Sequence, residues 1–146
     1  MVRILLVEDN SGDARLVVEA LKESPVPTQI NVVGDGMRAL AYLRQEGEYA
    51  EASRPDLILL DLNLPKKDGR EVLVEIKTDP TLKRLPVIIL TSSGAEEDIV
   101  QAYDQGASCY LLKPVGLDEY FALLHAVAEF WGRRVRLAGT VNGASH

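Results

Sequence analysis

The sequence predicts an α/β fold in which helices cover both faces of a doubly wound, five-stranded parallel sheet. Two observations carry this prediction. Five short apolar runs are nearly continuous rather than alternating in hydrophobicity, which is typical of strands that are buried on both faces. Each run is followed by a segment whose apolar residues recur every three or four positions, as they do along one face of a helix. Five such repeats favour a parallel sheet joined by right-handed crossovers.

The elements follow one another in a regular order. The strands are predicted at residues 3–7, 30–33, 57–60, 87–90 and 109–112. For this pattern we predict five helices and the flavodoxin-like strand order 2-1-3-4-5. The helices are marked by apolar stripes that include Leu16, Ala20 and Leu21, then Met37, Leu40 and Ala41, then Val72, Leu73 and Ile76, then Ile99, Ala102 and Tyr103, and finally Tyr120, Leu123, Leu124, Val127, Ala128 and Trp131.

Length and composition indicate one folded domain. The chain has 146 residues, of which 47% are hydrophobic and 26% charged. We expect the domain to span residues 1–132 and residues 133–146 to form a partly flexible C-terminal extension, because that segment is small, polar and without an apolar period. The net charge of −6 disfavours direct contact with nucleic acid. No apolar run is long enough to cross a bilayer, so we expect a cytoplasmic protein.

Polar residues fall where the predicted strands end. Glu8 and Asp9 follow the first strand, Asp61 the third, Thr91 the fourth and Lys113 the fifth. The carboxyl ends of parallel strands form one edge of the sheet, where ligands bind in α/β folds. We therefore expect these five side chains to converge.

The chemistry of this set indicates a metal-assisted phosphoryl transfer. Clustered carboxylates repel one another unless a cation neutralises them, and hard oxygen ligands without His or Cys favour Mg²⁺. Asp9 and Asp61 are the predicted direct ligands, Glu8 a ligand through water, and the backbone carbonyl of Asn63 a further ligand. Asp61 is the predicted nucleophile, while Lys113 and the Thr91 hydroxyl would interact with the transferred group.

These segments together resemble the receiver domains of response regulators. The resemblance covers residues 2–132 and rests on VEDN at 7–10, LLDLNLPKKDG at 59–69, LTSS at 90–93 and LKP at 112–114. It implies that Asp61 accepts a phosphoryl group from the phosphohistidine of a sensor histidine kinase and later loses it by hydrolysis. The protein would then be a self-catalysing phosphoacceptor switch rather than an enzyme with an external substrate.

The resemblance also implies specific roles for other residues. Thr91 and Tyr110 are expected to move on phosphorylation, and such coupling requires two differentially stabilised states. Asn63 and Ser93 occupy positions that tune the lifetime of the phosphate. The bond between Lys113 and Pro114 is expected to be cis, although an arbitrary X-Pro bond is cis in only about 5–6% of cases.

Within this family, the sequence looks most like the single-domain regulators that are paired with bacterial phytochromes. The features that carry this likeness are the long connection at 45–55, the turn at 66–69 and the segment at 106–115. We expect the connection at 45–55 to be mobile. The likeness implies a phytochrome-type histidine kinase as partner, output through protein contacts rather than DNA, and a homodimer formed through the fourth helix, fifth strand and fifth helix. The aromatic residues that could supply its apolar contact surface are Tyr103, Tyr120, Phe121, Phe130 and Trp131, and packing in the core explains some of them equally well.

Three alternatives remain open. Taken singly, each polar residue at a strand end is more often a solvated group or a helix cap, and only the joint pattern outweighs that interpretation. A phosphatase of the haloacid dehalogenase class also uses an aspartate, Mg²⁺, a threonine and a lysine, but it needs a general acid where this chain has Asn63. A degenerate receiver could act as a scaffold that does not depend on phosphorylation.

Overall fold

A computed structural model describes residues 1–134 of the chain. It confirms the predicted α/β architecture, with five parallel strands in the order β2-β1-β3-β4-β5. The strands are β1 (Val2–Val7), β2 (Thr28–Val33), β3 (Leu57–Leu60), β4 (Val87–Thr91) and β5 (Cys109–Leu112).

Four helices connect these strands and a fifth follows β5, as the apolar stripes predict. Three of them begin at a side chain that caps the free backbone amides of the first turn: Asn10 accepts from Asp13, Asp35 from Arg38 and Asp68 from Arg70. The helices are α1 (Ser11–Glu23), α2 (Gly36–Arg44), α3 (Gly69–Thr78), α4 (Glu96–Asp104) and α5 (Leu117–Glu129), and a π-helical turn (Phe130–Arg134) follows α5.

The sheet separates two apolar cores. Alternate residues of each strand point to opposite faces, so that Leu5 packs with α2 and α3 while Leu6 packs with α1 and α5. The same division holds along β3, where Ile58 lies in the first core and Leu59 in the second. Continuous apolar strands are therefore buried on both sides, as the sequence pattern predicts.

The connection between α2 and β3 and the C-terminal extension lie outside the regular alternation of strands and helices. The connection at 45–55 contains a 3₁₀ helix (Gly47–Tyr49), and the Tyr49 ring packs on Tyr42 with a centroid separation of 5.3 Å. The predicted C-terminal extension lies outside the described residues from position 135 onward. Within residues 1–134, no helix is both long enough and apolar enough to cross a membrane.

Candidate functional site

Backbone hydrogen bonds bring the strand ends together at one edge of the sheet. The Glu8 amide donates to the carbonyl of Val33, and the Asp61 amide donates to that of Val7. At the other side of the sheet, the Lys113 amide donates to the carbonyl of Thr91 over 2.9 Å. The hydrogen-bond ladder thus continues for one residue past the ends of β1, β3 and β5, while Thr91 is the last residue of β4. The predicted polar residues therefore lie at the same edge of the sheet.

Asp61 lies at the centre of this edge and is buried, with 8% of its surface exposed. Its Oδ1 accepts hydrogen bonds from the Thr91 hydroxyl at 3.0 Å and from the Asn63 amide at 3.1 Å. Its Oδ2 accepts from Lys113 Nζ, also at 3.0 Å. Both carboxylate oxygens are therefore held in place before any reaction partner arrives.

Lys113 links three carboxylates. Its ammonium nitrogen lies 2.5 Å from Glu8 Oε1, 3.1 Å from Asp13 Oδ2 and 3.0 Å from Asp61 Oδ2. Burial opposes the charge on this side chain, but the hydrogen bonds to Glu8 and Asp61 outweigh that effect and raise the pKa of Lys113. The residue is a fixed positive charge at neutral pH.

Asp13 was not among the predicted site residues. It lies in the first turn of α1, and the sequence offers only its position in that turn as a signal. An acidic residue there is ordinarily explained by the helix dipole, so its contact with a lysine one hundred positions away appears only in three dimensions.

Glu8, Asp9 and Asp61 form a group that fits a divalent cation. One carboxylate oxygen from each lies within 4.8 Å of the others. Two oxygens on opposite sides of a Mg²⁺ ion are about 4.2 Å apart, twice the usual metal–oxygen distance. The three residues can therefore surround one ion after small movements, or with water between the ion and one of them.

The three carboxylates differ in environment. Asp9 is exposed, whereas Glu8 is buried with 4% of its surface accessible. Burial raises the pKa of Glu8, while its hydrogen bond from Lys113 acts in the opposite direction. Asp9 is thus the accessible carboxylate of the three, whereas Glu8 and Asp61 are both buried and both bonded to Lys113.

The residues predicted to move or to tune lifetime lie at different distances from Asp61. The Thr91 hydroxyl donates a hydrogen bond directly to Asp61. The exposed Asn63 donates to Asp61 from its backbone amide. Ser93 instead donates from its hydroxyl to Asp98 over 2.7 Å, and the Tyr110 hydroxyl donates to the Ser93 carbonyl over 2.7 Å. The structure joins Ser93 and Tyr110 to each other rather than to the acceptor.

The predicted cis peptide bond before Pro114 is wrong for this structure. No peptide bond among residues 1–134 is cis. Trans is the more stable isomer of an X-Pro bond by about 0.5–1 kcal/mol. With the Lys113–Pro114 bond in the trans form, Lys113 contacts Glu8, Asp13 and Asp61.

The predicted dimer surface also needs one correction. Tyr103 and Phe130 are about half exposed, at 48% and 54%, while Phe121 and Trp131 are partly buried. Tyr120 is 5% exposed and packs in the core between α1 and α5, so it cannot contribute to a contact surface.

The sequence is similar to known response regulators. A sequence model of the response regulator receiver domain matches residues 4–125. The chain is 50% identical over 134 residues to the response regulator Rcp1 of Synechocystis sp. (strain ATCC 27184 / PCC 6803 / Kazusa), covering 92% of this chain and 91% of that protein.

Two crystal structures are similar over nearly their whole length. One is the Mn²⁺-bound form of response regulator Rcp1, with a TM-score of 0.89, 49% identity, and coverage of 94% of this chain and 99% of that one. The other is the phosphorylated cyanobacterial phytochrome response regulator RcpA, with a TM-score of 0.90, 58% identity, and coverage of 94% and 98%.

Proposed function

The chain belongs to the response regulator receiver domain family, and from that premise we propose that Asp61 accepts a phosphoryl group from a sensor histidine kinase. The observation that carries the proposal is the position of Asp61. It is buried at the edge of the sheet, with Thr91 and Lys113 on its two oxygens and Glu8 and Asp9 beside it.

The side chains of this edge account for the proposed transfer. A carboxylate oxygen of Asp61 attacks phosphorus and the bond from phosphorus to the donor nitrogen breaks. The imidazole, already protonated on its other ring nitrogen, leaves as the neutral ring. Lys113 and Thr91 then exchange their bonds with Asp61 for bonds to phosphoryl oxygens, which stabilises the charge of the product. Hydrolysis of the acyl phosphate later restores Asp61, so the domain acts as a switch.

We assign the metal of this site as Mg²⁺. Asp9, Asp61 and the Asn63 carbonyl would hold it directly, and Glu8 through water. When bound, it supplies positive charge against the phosphoryl oxygens. The Mn²⁺-bound form of Rcp1 supports binding of a divalent ion, and the cluster of Glu8, Asp9 and Asp61 offers a site for it. The absence of His or Cys from this cluster favours Mg²⁺.

The partner we propose is a phytochrome-type histidine kinase. Support comes from RcpA, which is a cyanobacterial phytochrome response regulator and shares 58% identity with this chain. The proposal places the chain in the cytoplasm together with its kinase.

We further propose that output occurs through protein contacts. Phosphorylation would shift Thr91 and Tyr110 and strengthen a homodimer formed through α4, β5 and α5. Val100, Tyr103 and Leu112 are each about half exposed on those elements, which gives the surface an apolar character. No direct contact with DNA is proposed for this acidic domain.

Intact-mass spectrometry after incubation with acetyl phosphate and Mg²⁺ tests the central proposal. Wild type should gain one base-labile phosphoryl group, whereas Asp61→Asn and a chelated wild-type sample should gain none. Asp118→Asn is the matched control, because it removes an exposed carboxylate from the start of α5 and should label like wild type. Wild type that stays unlabelled by acetyl phosphate and by a phosphorylated histidine kinase would instead favour the scaffold function.

A further inference from the structure

Lys113 uses all three of its N–H donors on carboxylates. An ammonium group has three donors and no acceptor. In this structure they match Glu8, Asp61 and Asp13, and the lysine side chain is only 10% exposed. Glu8 and Asp61 belong to the site described above, whereas Asp13 has no role in it so far.

The position of Asp13 is fixed by the start of α1. Its amide donates to the side chain of Asn10 over 2.9 Å, which holds the first turn of the helix against the end of β1. Its own carboxylate is then directed to Lys113 and remains 37% exposed, compared with 3% for Glu8. The lysine is therefore held from the inside by Glu8 and from the solvent side by Asp13.

Asp13 lies outside the group of carboxylates that fits a metal ion. Asp13 and Lys113 line a groove of about 400 Å³ together with Ser92, Pro114 and Tyr120. Asp13 is absent from the three-carboxylate group that fits a cation. Among residues 1–134, the Asp13 carboxylate forms its ion pair with the Lys113 ammonium.

Phosphorylation changes what Lys113 must contact. Once Asp61 becomes an acyl phosphate, its carboxylate loses negative charge, and the third donor of Lys113 has to reach a phosphoryl oxygen. Glu8 and Asp13 are the two contacts of Lys113 that do not involve Asp61. We propose that Asp13 is a positioning residue, which holds the Lys113 ammonium so that its third N–H faces the incoming phosphoryl group. This inference rests on the proposed function.

The negative charge of Asp13 has two opposing effects on the rate of phosphorylation. As a negative charge near the site it repels an anionic donor, but it is partly exposed and solvent screens that repulsion. As a direct hydrogen-bond partner of a nearly buried ammonium it fixes a reacting group, and such contacts between ions are the stronger ones. The positioning effect therefore dominates, and removing the carboxylate should slow the reaction.

The experiment measures the second-order rate constant for labelling of the full chain by acetyl phosphate with Mg²⁺, using intact mass against time. Asp13→Asn should lower this constant by about five- to tenfold, and Asp13→Glu should restore it to within about twofold of wild type. Asp118→Asn, which also removes an acidic residue from the first turn of a helix, should match wild type. Both Asn variants lose a similar interaction with a helix dipole, but Asp13→Asn also loses the ion pair with Lys113, so its Tm should be the lower of the two.

A double-mutant cycle with Lys113→Met separates positioning from other roles. If Asp13 acts only through the lysine, Asp13→Asn should cause no further slowing in the Lys113→Met background. An Asp13→Asn variant that labels as fast as wild type or faster would overturn the inference while leaving the proposed function intact, as would equal slowing in both backgrounds. Wild type that does not label at all would overturn the proposed function and this inference with it.

Discussion

Arg70 and Asp98 form a two-point ion pair between the start of α3 and the first turn of α4. Arg70 Nε lies 3.1 Å from Asp98 Oδ1, and Arg70 Nη2 lies 2.9 Å from Asp98 Oδ2. The same carboxylate accepts a hydrogen bond from the Ser93 hydroxyl. The pair therefore ties α3 to the loop that follows Thr91, which is the loop expected to move when Asp61 is phosphorylated.

Asp98→Asn should destabilise the domain at neutral pH but not in acid. The hydrogen bonds from Arg70 and then Ser93 lower the pKa of Asp98 below its ordinary value. Stability from such a group is present above the unfolded-state pKa of about 3.9 and is lost as pH falls through the lower folded-state value. Urea unfolding of wild type and variant should differ at pH 7, and the difference should disappear as the pH falls through the folded-state pKa of Asp98. Glu97→Gln, in the same helical turn, is the control, and a difference that is constant with pH would contradict the prediction.

Gly69→Ala should lower the free energy of unfolding by about 3 kcal/mol. A Cβ atom at this position would lie 2.2 Å from the carbonyl oxygen of Asp61 and 2.6 Å from the Cα atom of Leu62, and neither backbone atom can rotate away. Gly34→Ala is the matched control, because its Cβ would meet nothing within 4 Å. Chemical denaturation should show the control within about 0.5 kcal/mol of wild type. Equal stability of the two variants would show that the turn at 66–69 can shift.

Much of the site was predictable because it depends on topology. Glu8, Asp61, Thr91 and Lys113 directly follow apolar runs, and parallel strands end at one edge whatever their loops do. A strand order inferred from the alternation of elements is then sufficient to bring residues 105 positions apart into contact, as for Glu8 and Lys113.

Other contacts of the site depend on the directions of helices and side chains, which the spacing of residues along the sequence does not specify. Asp13 meets Lys113 because of the direction in which α1 leaves the sheet, and Arg70 meets Asp98 because of how α3 and α4 pack. Tyr120 is a different case, since its spacing of four and seven residues from Leu124 and Val127 already indicated the buried face of α5. Of the two positions that the sequence left open for this ring, the contact surface and the core, that period favours the core.

Tyr120→Phe should leave the free energy of unfolding unchanged or raise it by up to about 1 kcal/mol. The Tyr120 hydroxyl is buried and has no hydrogen-bond partner within residues 1–134, and burial raises its pKa to about 12. Removing an unpaired buried hydroxyl relieves its desolvation cost. Tyr110→Phe is the contrasting variant, because it removes a bond to the Ser93 carbonyl and should cost about 1 kcal/mol. A loss of stability for Tyr120→Phe in urea unfolding would show that its hydroxyl binds a buried water.

Lys113→Met should bind Mg²⁺ more tightly while accepting phosphate more slowly. Wild-type Lys113 partly neutralises Glu8 and Asp61, two of the three carboxylates that fit the ion. Without it, the carboxylates repel one another and are left unpaired, so that a divalent ion gains affinity, by about tenfold at the effective dielectric of a site near the surface.

The Mg²⁺ affinity and the phosphorylation rate of Lys113→Met are measured separately. Calorimetric titration should show the tighter binding, and Mg²⁺ should raise the Tm of Lys113→Met by more than that of wild type, because the ion replaces a lost positive charge. Labelling by acetyl phosphate should nevertheless fall, since no other ammonium contacts Asp61 among the described residues. Lys22→Met, at the exposed end of α1, should change neither property. Weaker Mg²⁺ binding in Lys113→Met would mean that the ammonium holds the carboxylates in the arrangement the ion requires, instead of competing with it.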